Sequence, residues 1–291
     1  MCVVYLNGRF VANEQALISA FDRGFIFGDA VYEVIPVFSG QPLRMREHLE
    51  RLQQSLSALD IGNPMEPDRW METISAVIER NGGGDQYVYL QISRGVAERE
   101  HVVMEIPQPT VFIFSKAIRH AAPEPVSAIT CRDIRWDNCH IKTTSLVANV
   151  MLRNYAHRAG AAEAILLADG FLTEGAASNV MVVSDDTIKT PPKSRRLLGG
   201  ITRDLVIDLA RRGGLECEEA AISEGELRGA REIWLTSSTR QILPVTRLDG
   251  APVASGAVGP MWHRIWQLYT DYKQSCATSR RASPELAPRH G

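Results

Sequence analysis

The chain has 291 residues, 45% of them apolar and 23% charged, with a formal net charge of −2. That length exceeds one minimal core and fits two domains, while the near-neutral charge points away from nucleic acid and from membrane surfaces. The five cysteines (Cys2, Cys131, Cys139, Cys217 and Cys276) are scattered and odd in number; they read as reduced thiols of a cytoplasmic protein, and no spacing among them suggests a metal site.

The start, MCVVYLNGRF, lacks the basic stretch followed by an apolar run that marks a secretory leader. It alternates instead as a hairpin: Val3–Leu6, an Asn7-Gly8 turn, then Phe10-Val11. A second hairpin follows in VYEVIPVF, Ser39-Gly40 and QPLRM. Glu47–Asp60 predicts an amphipathic helix with Leu49, Leu52, Leu56 and Leu59 on one face. Trp70–Glu79 predicts another, stopped by NGGG, and Tyr87–Ile92 and Val111–Phe114 read as strands. AIRHAAPEP (117–125) carries two prolines and no apolar period, as a linker does.

Beyond it the pattern changes to strand, helix, strand. Strands are expected at Ala128–Arg132, Ala164–Leu167, Asn179–Ser184 and Ile233–Leu235. Helices are expected at Ser145–Arg158 with Gly160 as stop, at Thr202–Arg212 closed by Gly213-Gly214, and at Gly259–Tyr272. Ser223 to Glu226 has capping-box spacing for a short helix. The polar, proline-bearing end from Ser275 reads as disordered. There is no internal repeat, no apolar run near the roughly 20 residues of a membrane span, and the whole is an α and β protein with mixed sheets.

Five stretches carry chemistry. Lysine occurs only at 116, 142, 189, 193 and 273, and Lys142 alone leads into a largely apolar stretch, in WDNCHIKTTSLVANVML. A partly desolvated lysine is a candidate Schiff-base nucleophile; taken alone, this one is more simply a lysine snorkelling at a helix start. LLGGITRD puts two glycines before a helix, where free N–H groups and the Thr202 hydroxyl cradle an anion or merely cap a loop; no Gly-Lys-Ser/Thr follows, so it is not a Walker motif. In LTEGAASNVMVV, Glu174 falls in a turn of small residues between two strands, facing either an interior site or solvent. TSSTRQILPV places four hydroxyls at a strand end, for phosphate oxygens or for a turn. In QISRGVAEREH, an extended Arg99–His101 aims Arg99 and His101 to one face and Glu100 to the other, which suits an anion grip or an ordinary solvated loop.

The order of these stretches is more specific than any one of them. TEG-x-x-SN after an isolated lysine, then GITRD, then a hydroxyl-rich strand end, resembles the class IV pyridoxal-phosphate aminotransferases. FDRGFIFGDAVYEVIPV, EHLERL and DIRW extend the resemblance from about residue 3 to about residue 272. It implies a two-domain fold type IV enzyme: a small N-terminal α/β domain (1–117), a linker (118–125), a larger C-terminal mixed-sheet, barrel-like domain (126–274) and a tail (275–291). It implies that Lys142 forms the Schiff base with pyridoxal 5′-phosphate and shuttles the proton. By the same resemblance Glu174 pairs with the pyridinium nitrogen, and Arg51, Ile201, Thr202, Ser237 and Ser238 hold the phosphate. Leu198 joins the cofactor-binding set, and Arg135 is a candidate contact to the phenolic oxygen.

The class contains branched-chain L-amino acid aminotransferases, D-amino acid aminotransferases, (R)-amine transaminases and aminodeoxychorismate lyase. Cofactor residues do not separate them. D-amino acid aminotransferases bind the substrate carboxylate with a tyrosine in a GD-x-VYE-V context and an Arg-x-His pair after RG. Tyr32, Arg99 and His101 match all three, which implies a D-amino acid aminotransferase acting on a D-amino acid and a 2-oxo acid. In that subfamily Arg and His come from the partner subunit, which implies a homodimer. Glu100 departs from the small residue common there and raises the prospect of a pair with Arg99.

Overall fold

The computed structural model describes residues 2–104, 107–119 and 122–279. The first strands, β1 (Val3–Leu6) and β2 (Arg9–Ala12), close through Asn7 and Gly8, both at positive φ, as a two-residue Asn-Gly hairpin turn requires. A short helix, α1 (Arg23–Phe27), is capped by the Asp22 carboxylate, which accepts from the Gly24 N–H. Then come β3 (Ala30–Phe38), β4 (Gln41–Pro42), α2 (Met45–Ala58), α3 (Pro67–Arg80), β5 (Gln86–Ser93) and β6 (Thr110–Ala117). The strands form an antiparallel sheet in the order β2-β1-β6-β5-β3-β4.

Alternation sets the faces of this sheet. Val88, Leu90 and Ile92 of β5 are fully buried with Leu49, Leu52 and Leu56 of α2 and Trp70, Ile74 and Val77 of α3. Leu59, expected on the same face, follows the end of α2 and is only partly buried. The alternate positions build an aromatic row on the other face, with Tyr32 stacked on Tyr89 and Tyr89 on Phe114.

The second half contains β7 (Val126–Arg132), α4 (Val147–Arg158), β8 (Glu163–Ala168), β9 (Phe171–Gly175), β10 (Asn179–Ser184), β11 (Thr187–Thr190), α5 (Ile201–Arg212), β12 (Cys217–Glu219), α6 (Glu224–Gly229), β13 (Glu232–Ser237), β14 (Gln241–Leu248), β15 (Ala251–Pro252) and α7 (Pro260–Ser279). Its sheet runs β12-β11-β10-β13-β14-β7-β8-β9, with β15 on β14. The β14–β7, β7–β8 and β11–β12 pairs are parallel and the rest antiparallel, so the expected mixed α/β architecture is the observed one. α5 and α7 cover part of this sheet through Val206, Leu209, Ile265 and Tyr269.

Three expectations change. Glu174 lies inside strand β9, not in a turn: Phe171 to Gly175 pair with β8, so the reversal is at Asp169-Gly170 and the small residues fall after the strand. β14 is not among the strands expected from the sequence; in it Pro244 faces Trp234 of β13, and the pairing with β7 on the other side starts only at Val245. The last helix does not stop at Tyr272, and the disorder expected from Ser275 does not begin there. α7 continues to Ser279, with Tyr272 and Cys276 still packing on the core. Residues 280–291 lie outside the described residues, as do 120 and 121 of the expected linker.

The two sheets meet through the segment before α4. Thr143 bridges to Val31, the Thr144 N–H donates to the Ala30 carbonyl at 3.0 Å, and the Tyr32 N–H donates to the Lys142 carbonyl at 2.9 Å. A residue between two sheets is thereby fixed by the backbone of the first of them.

Candidate active site

A cavity of about 360 Å³ opens between the sheets. Tyr32, Arg51, Lys142, Glu174, Leu198, Ile201, Thr202, Ser237 and Ser238 all line it, so the structure brings together residues that span most of the chain. Lys142 is pinned by its backbone: its N–H donates to Ser55 Oγ at 3.1 Å, and its carbonyl accepts from Tyr32. Its Nζ sits 4.3 Å from the centre of the Tyr32 ring. No ion pair or hydrogen bond to that amine is present among the described residues.

Arg51 forms one wall. Its Nε and Nη2 donate to the two oxygens of Glu33 at 2.8 Å each, and Nη1 donates to the Gly199 carbonyl at 2.8 Å. Glu33 is fully buried, and His48 Nδ1 lies 2.7 Å from its Oε2. Burial works to raise the Glu33 carboxyl, but the Arg51 guanidinium overrides it and holds the group far below the usual carboxylate range. Burial lowers the proton affinity of His48, so the imidazole is neutral near pH 7 and Nδ1–H donates to Glu33. A guanidinium offers five N–H groups; the three bonds to Glu33 and Gly199 leave donors on Nη1 and Nη2 for the cavity.

Beside Arg51, α5 begins at Gly200 with no side-chain cap, so its first N–H groups remain available to an anion. Gly200 is required by close approach: a Cβ there would collide with Asn179 Oδ1. Thr236 Oγ1, buried in the same wall, has no hydrogen-bond partner among the described residues. An unpaired buried hydroxyl costs about 1–3 kcal/mol, which a ligand oxygen recovers. Ser237 and Ser238 line the same cavity.

Glu174 lines the same cavity. Arg135 Nη1 donates to its Oε1, and Asn179 Nδ2 and the Leu198 N–H donate to its Oε2 at 3.1 Å each. Arg135 is held in turn by Asp133, with Nη2 to Oδ2 at 2.8 Å. Its Nη2 also donates to the Arg196 carbonyl at 3.1 Å, and the residue lines the same cavity. Burial pushes the Glu174 carboxyl up to about 7, and Arg135 with the Leu198 N–H only partly offsets this.

Arg99 and His101 do not line this cavity. Their segment is an irregular loop, not an extended strand. The two side chains nevertheless share one neighbour: Arg99 Cζ lies 5.5 Å and the His101 ring 5.4 Å from the Phe27 ring centre. His101 is 80% exposed. Glu100 makes no ion pair with Arg99; its carboxylate accepts from the His101 N–H at 2.6 Å, and Arg23 donates to its carbonyl. Gly95, at φ +105°, lets the loop leave β5 against Gln108, where a Cβ would clash with the Gln108 carbonyl. Sequence reasoning missed Glu33, His48 and Asn179. A signal for the first two existed: a carboxylate on the buried face of β3, and His48 and Arg51 at i, i+3 on the buried face of α2.

The class IV amino-transferase family matches residues 30–248. The D-alanine aminotransferase of Bacillus licheniformis is 38% identical over 90% of this chain and 94% of its own length. That of Listeria monocytogenes is 34% identical over 92% and 95%. Among solved structures, the branched-chain amino acid aminotransferase of Escherichia coli superposes with a TM-score of 0.87 at 27% identity, covering 92% of this chain and 93% of that one. The T.th. branched-chain enzyme with pyridoxamine 5′-phosphate gives 0.86 at 26% identity, covering 95% and 94%. The chain therefore belongs to the class IV aminotransferase family, and its fold is that of these enzymes.

Glu174 has a measurable signature in ligand-free protein. Its folded pKa of about 7 lies above the ordinary 4.5, so its contribution to stability is full below pH 4.5 and is lost as pH rises to about 7. Glu174→Gln stays neutral throughout. The unfolding free energy of the wild type, measured in urea relative to that variant, is expected to fall by on the order of 3 kcal/mol across this window. A difference that is flat with pH contradicts the assignment.

Proposed function

We propose that the chain is a pyridoxal 5′-phosphate-dependent D-amino acid aminotransferase. It moves an amino group between a D-amino acid such as D-alanine and a 2-oxo acid such as 2-oxoglutarate, in two alternating half-reactions of ping-pong order. The observation that carries the reading is a lysine amine without a protein partner among the described residues, set between an anion-binding wall and a buried carboxylate in one cavity. The donor set fits the cofactor: cationic and backbone donors with an orphaned Thr236 hydroxyl suit a phosphate, and Glu174 suits a ring nitrogen. The bound cofactor supplies the electron sink for charge at the substrate α-carbon.

The remaining work belongs to the chain's own groups. Arg51, the N–H groups and hydroxyl of Ile201 and Thr202, and the hydroxyls of Ser237 and Ser238 hold the phosphate. Glu174, poised by burial near neutrality, keeps a proton at the ring nitrogen, while Arg135, Asn179 and the Leu198 N–H fix its orientation. Lys142 attaches the cofactor through Nζ and moves a proton to and from the substrate carbon. Tyr32, Arg99 and His101 grip the substrate carboxylate, and a guanidinium suits that anion better than an ammonium.

Arg99 and His101 serve the site of a partner subunit in this reading. Exposed apolar side chains support a homodimer: Leu17, Phe21, Phe25, Val102 and Met104 are each more than half exposed near the Arg99 loop or α1, as are Val147 and Met151 on α4. Five unpaired cysteines favour the cytoplasm. The relatives named D-alanine aminotransferase support the D-amino acid substrate; the branched-chain enzymes among the structural neighbours make a branched-chain L-amino acid the second reading.

Arg99→Ala is expected to lower kcat/KM for D-alanine by roughly tenfold or more, about 1.5–3 kcal/mol for a charged hydrogen bond, with cofactor absorbance retained. Loss of the cofactor instead removes Arg99 from the substrate grip. Mixing Arg99→Ala with Lys142→Ala subunits is expected to restore activity, because one site of each mixed dimer then holds both native residues. No recovery contradicts a shared site.

A further inference from the structure

The cavity wall continues from Lys142 along α4 to Arg153 and Asn154, and the proposed mechanism uses neither. Arg153 Nη1 lies 3.1 Å from Glu163 Oε1, and Arg240 Nη2 lies 2.6 Å from Glu163 Oε2. Both guanidiniums also donate to the Ala162 carbonyl through Nη1, and Ser178 Oγ donates to Glu163 Oε2 at 3.1 Å. Glu163 is fully buried, whereas the Arg153 and Arg240 side chains are 38% and 31% exposed.

Two guanidiniums are thus drawn together on a single carboxylate. Like charges so placed repel one another, and one carboxylate offsets only one of them. A positive charge remains, and Arg153 brings it to the cavity wall. Arg153 lines the cavity, whereas Glu163 does not. Both contacts of Arg153 use Nη1, so its Nε and Nη2 have no partner among the described residues. These are the two donors that a carboxylate takes in a fork.

We propose that Arg153, backed by Glu163 and paired with Arg240, binds the distal carboxylate of dicarboxylic substrates, such as a five-carbon 2-oxo diacid and the matching D-amino diacid. The inference rests on the aminotransferase reading and adds a second anion site to it, at the side-chain end of the substrate. Glu163 is a positioning residue: it fixes both guanidiniums and touches no substrate. A substrate with a short apolar side chain, such as D-alanine, uses the cavity without reaching this site.

The test compares holoenzymes carrying Arg153→Met, Arg153→Lys and Arg240→Met, by half-reaction rates with D-glutamate and D-alanine. The ratio of kcat/KM for D-glutamate to that for D-alanine is expected to fall tenfold or more in Arg153→Met, chiefly through KM, with a smaller fall in Arg153→Lys. Arg240→Met lowers the same ratio and provides a second reading should Arg153→Met fold poorly. A merely structural role lowers both substrates together, and an unchanged ratio overturns the proposal. If the wild type reacts with D-alanine but not with D-glutamate, the site is refuted while the D-amino acid reading stands. If it reacts with L-leucine in place of D-alanine, that reading falls, and the same ratio for L-glutamate against L-leucine decides the inference.

Discussion

A guanidinium buried in a protein needs a carboxylate at hydrogen-bonding distance, and Arg51 meets that need with Glu33. The pair is costly to break, because removal of either partner strands a buried charge at about 3–5 kcal/mol. It is also directional. Glu33 takes the side of Arg51 away from the cavity, so the charge is neutral in sum but the donors that remain face inward. Charge neutrality from behind and donors in front is the condition under which an anion site persists in a packed interior. His48 extends the condition one layer further by donating to the same carboxylate.

The same arrangement with the signs reversed supports Glu174. Here the buried group is the carboxylate, Arg135 stands behind it, and Asp133 stands behind Arg135. Glu174 is left near neutrality instead of being fully committed to either charge state. Two groups of opposite kind, a cationic wall and a carboxyl that exchanges a proton near pH 7, then line one cavity. The lysine amine between them is fixed by main-chain bonds to β3 and by Ser55 of α2, so its position follows from the docking of the two sheets. Thus the chemistry depends on an interface inside the chain, not on either sheet alone.

Much of this was legible in the sequence, for physical reasons that differ by residue. Lys142 stood out by scarcity and by the apolar run that follows it. The α5 start was legible from Gly-Gly before a helical period, and Gly200 is indeed the position where Asn179 leaves no room for a Cβ. Glu174 was found as a residue and misplaced as structure, since small residues after a strand read the same as a turn. What was illegible depends on partners far apart in the chain. Glu33 meets Arg51 through the packing of α2 on β3. β14 was not among the expected strands either; its pairing with β7 starts only at Val245, after Pro244.

The function proposed for this cavity is the transfer of amino groups from D-amino acids. It is tested most directly by adding D-alanine or L-leucine, without any acceptor, to the protein loaded with pyridoxal 5′-phosphate, and following the cofactor's visible absorbance. D-alanine is expected to bleach that absorbance with release of one pyruvate per site, and L-leucine to leave it in place. Bleaching by L-leucine alone would contradict that function.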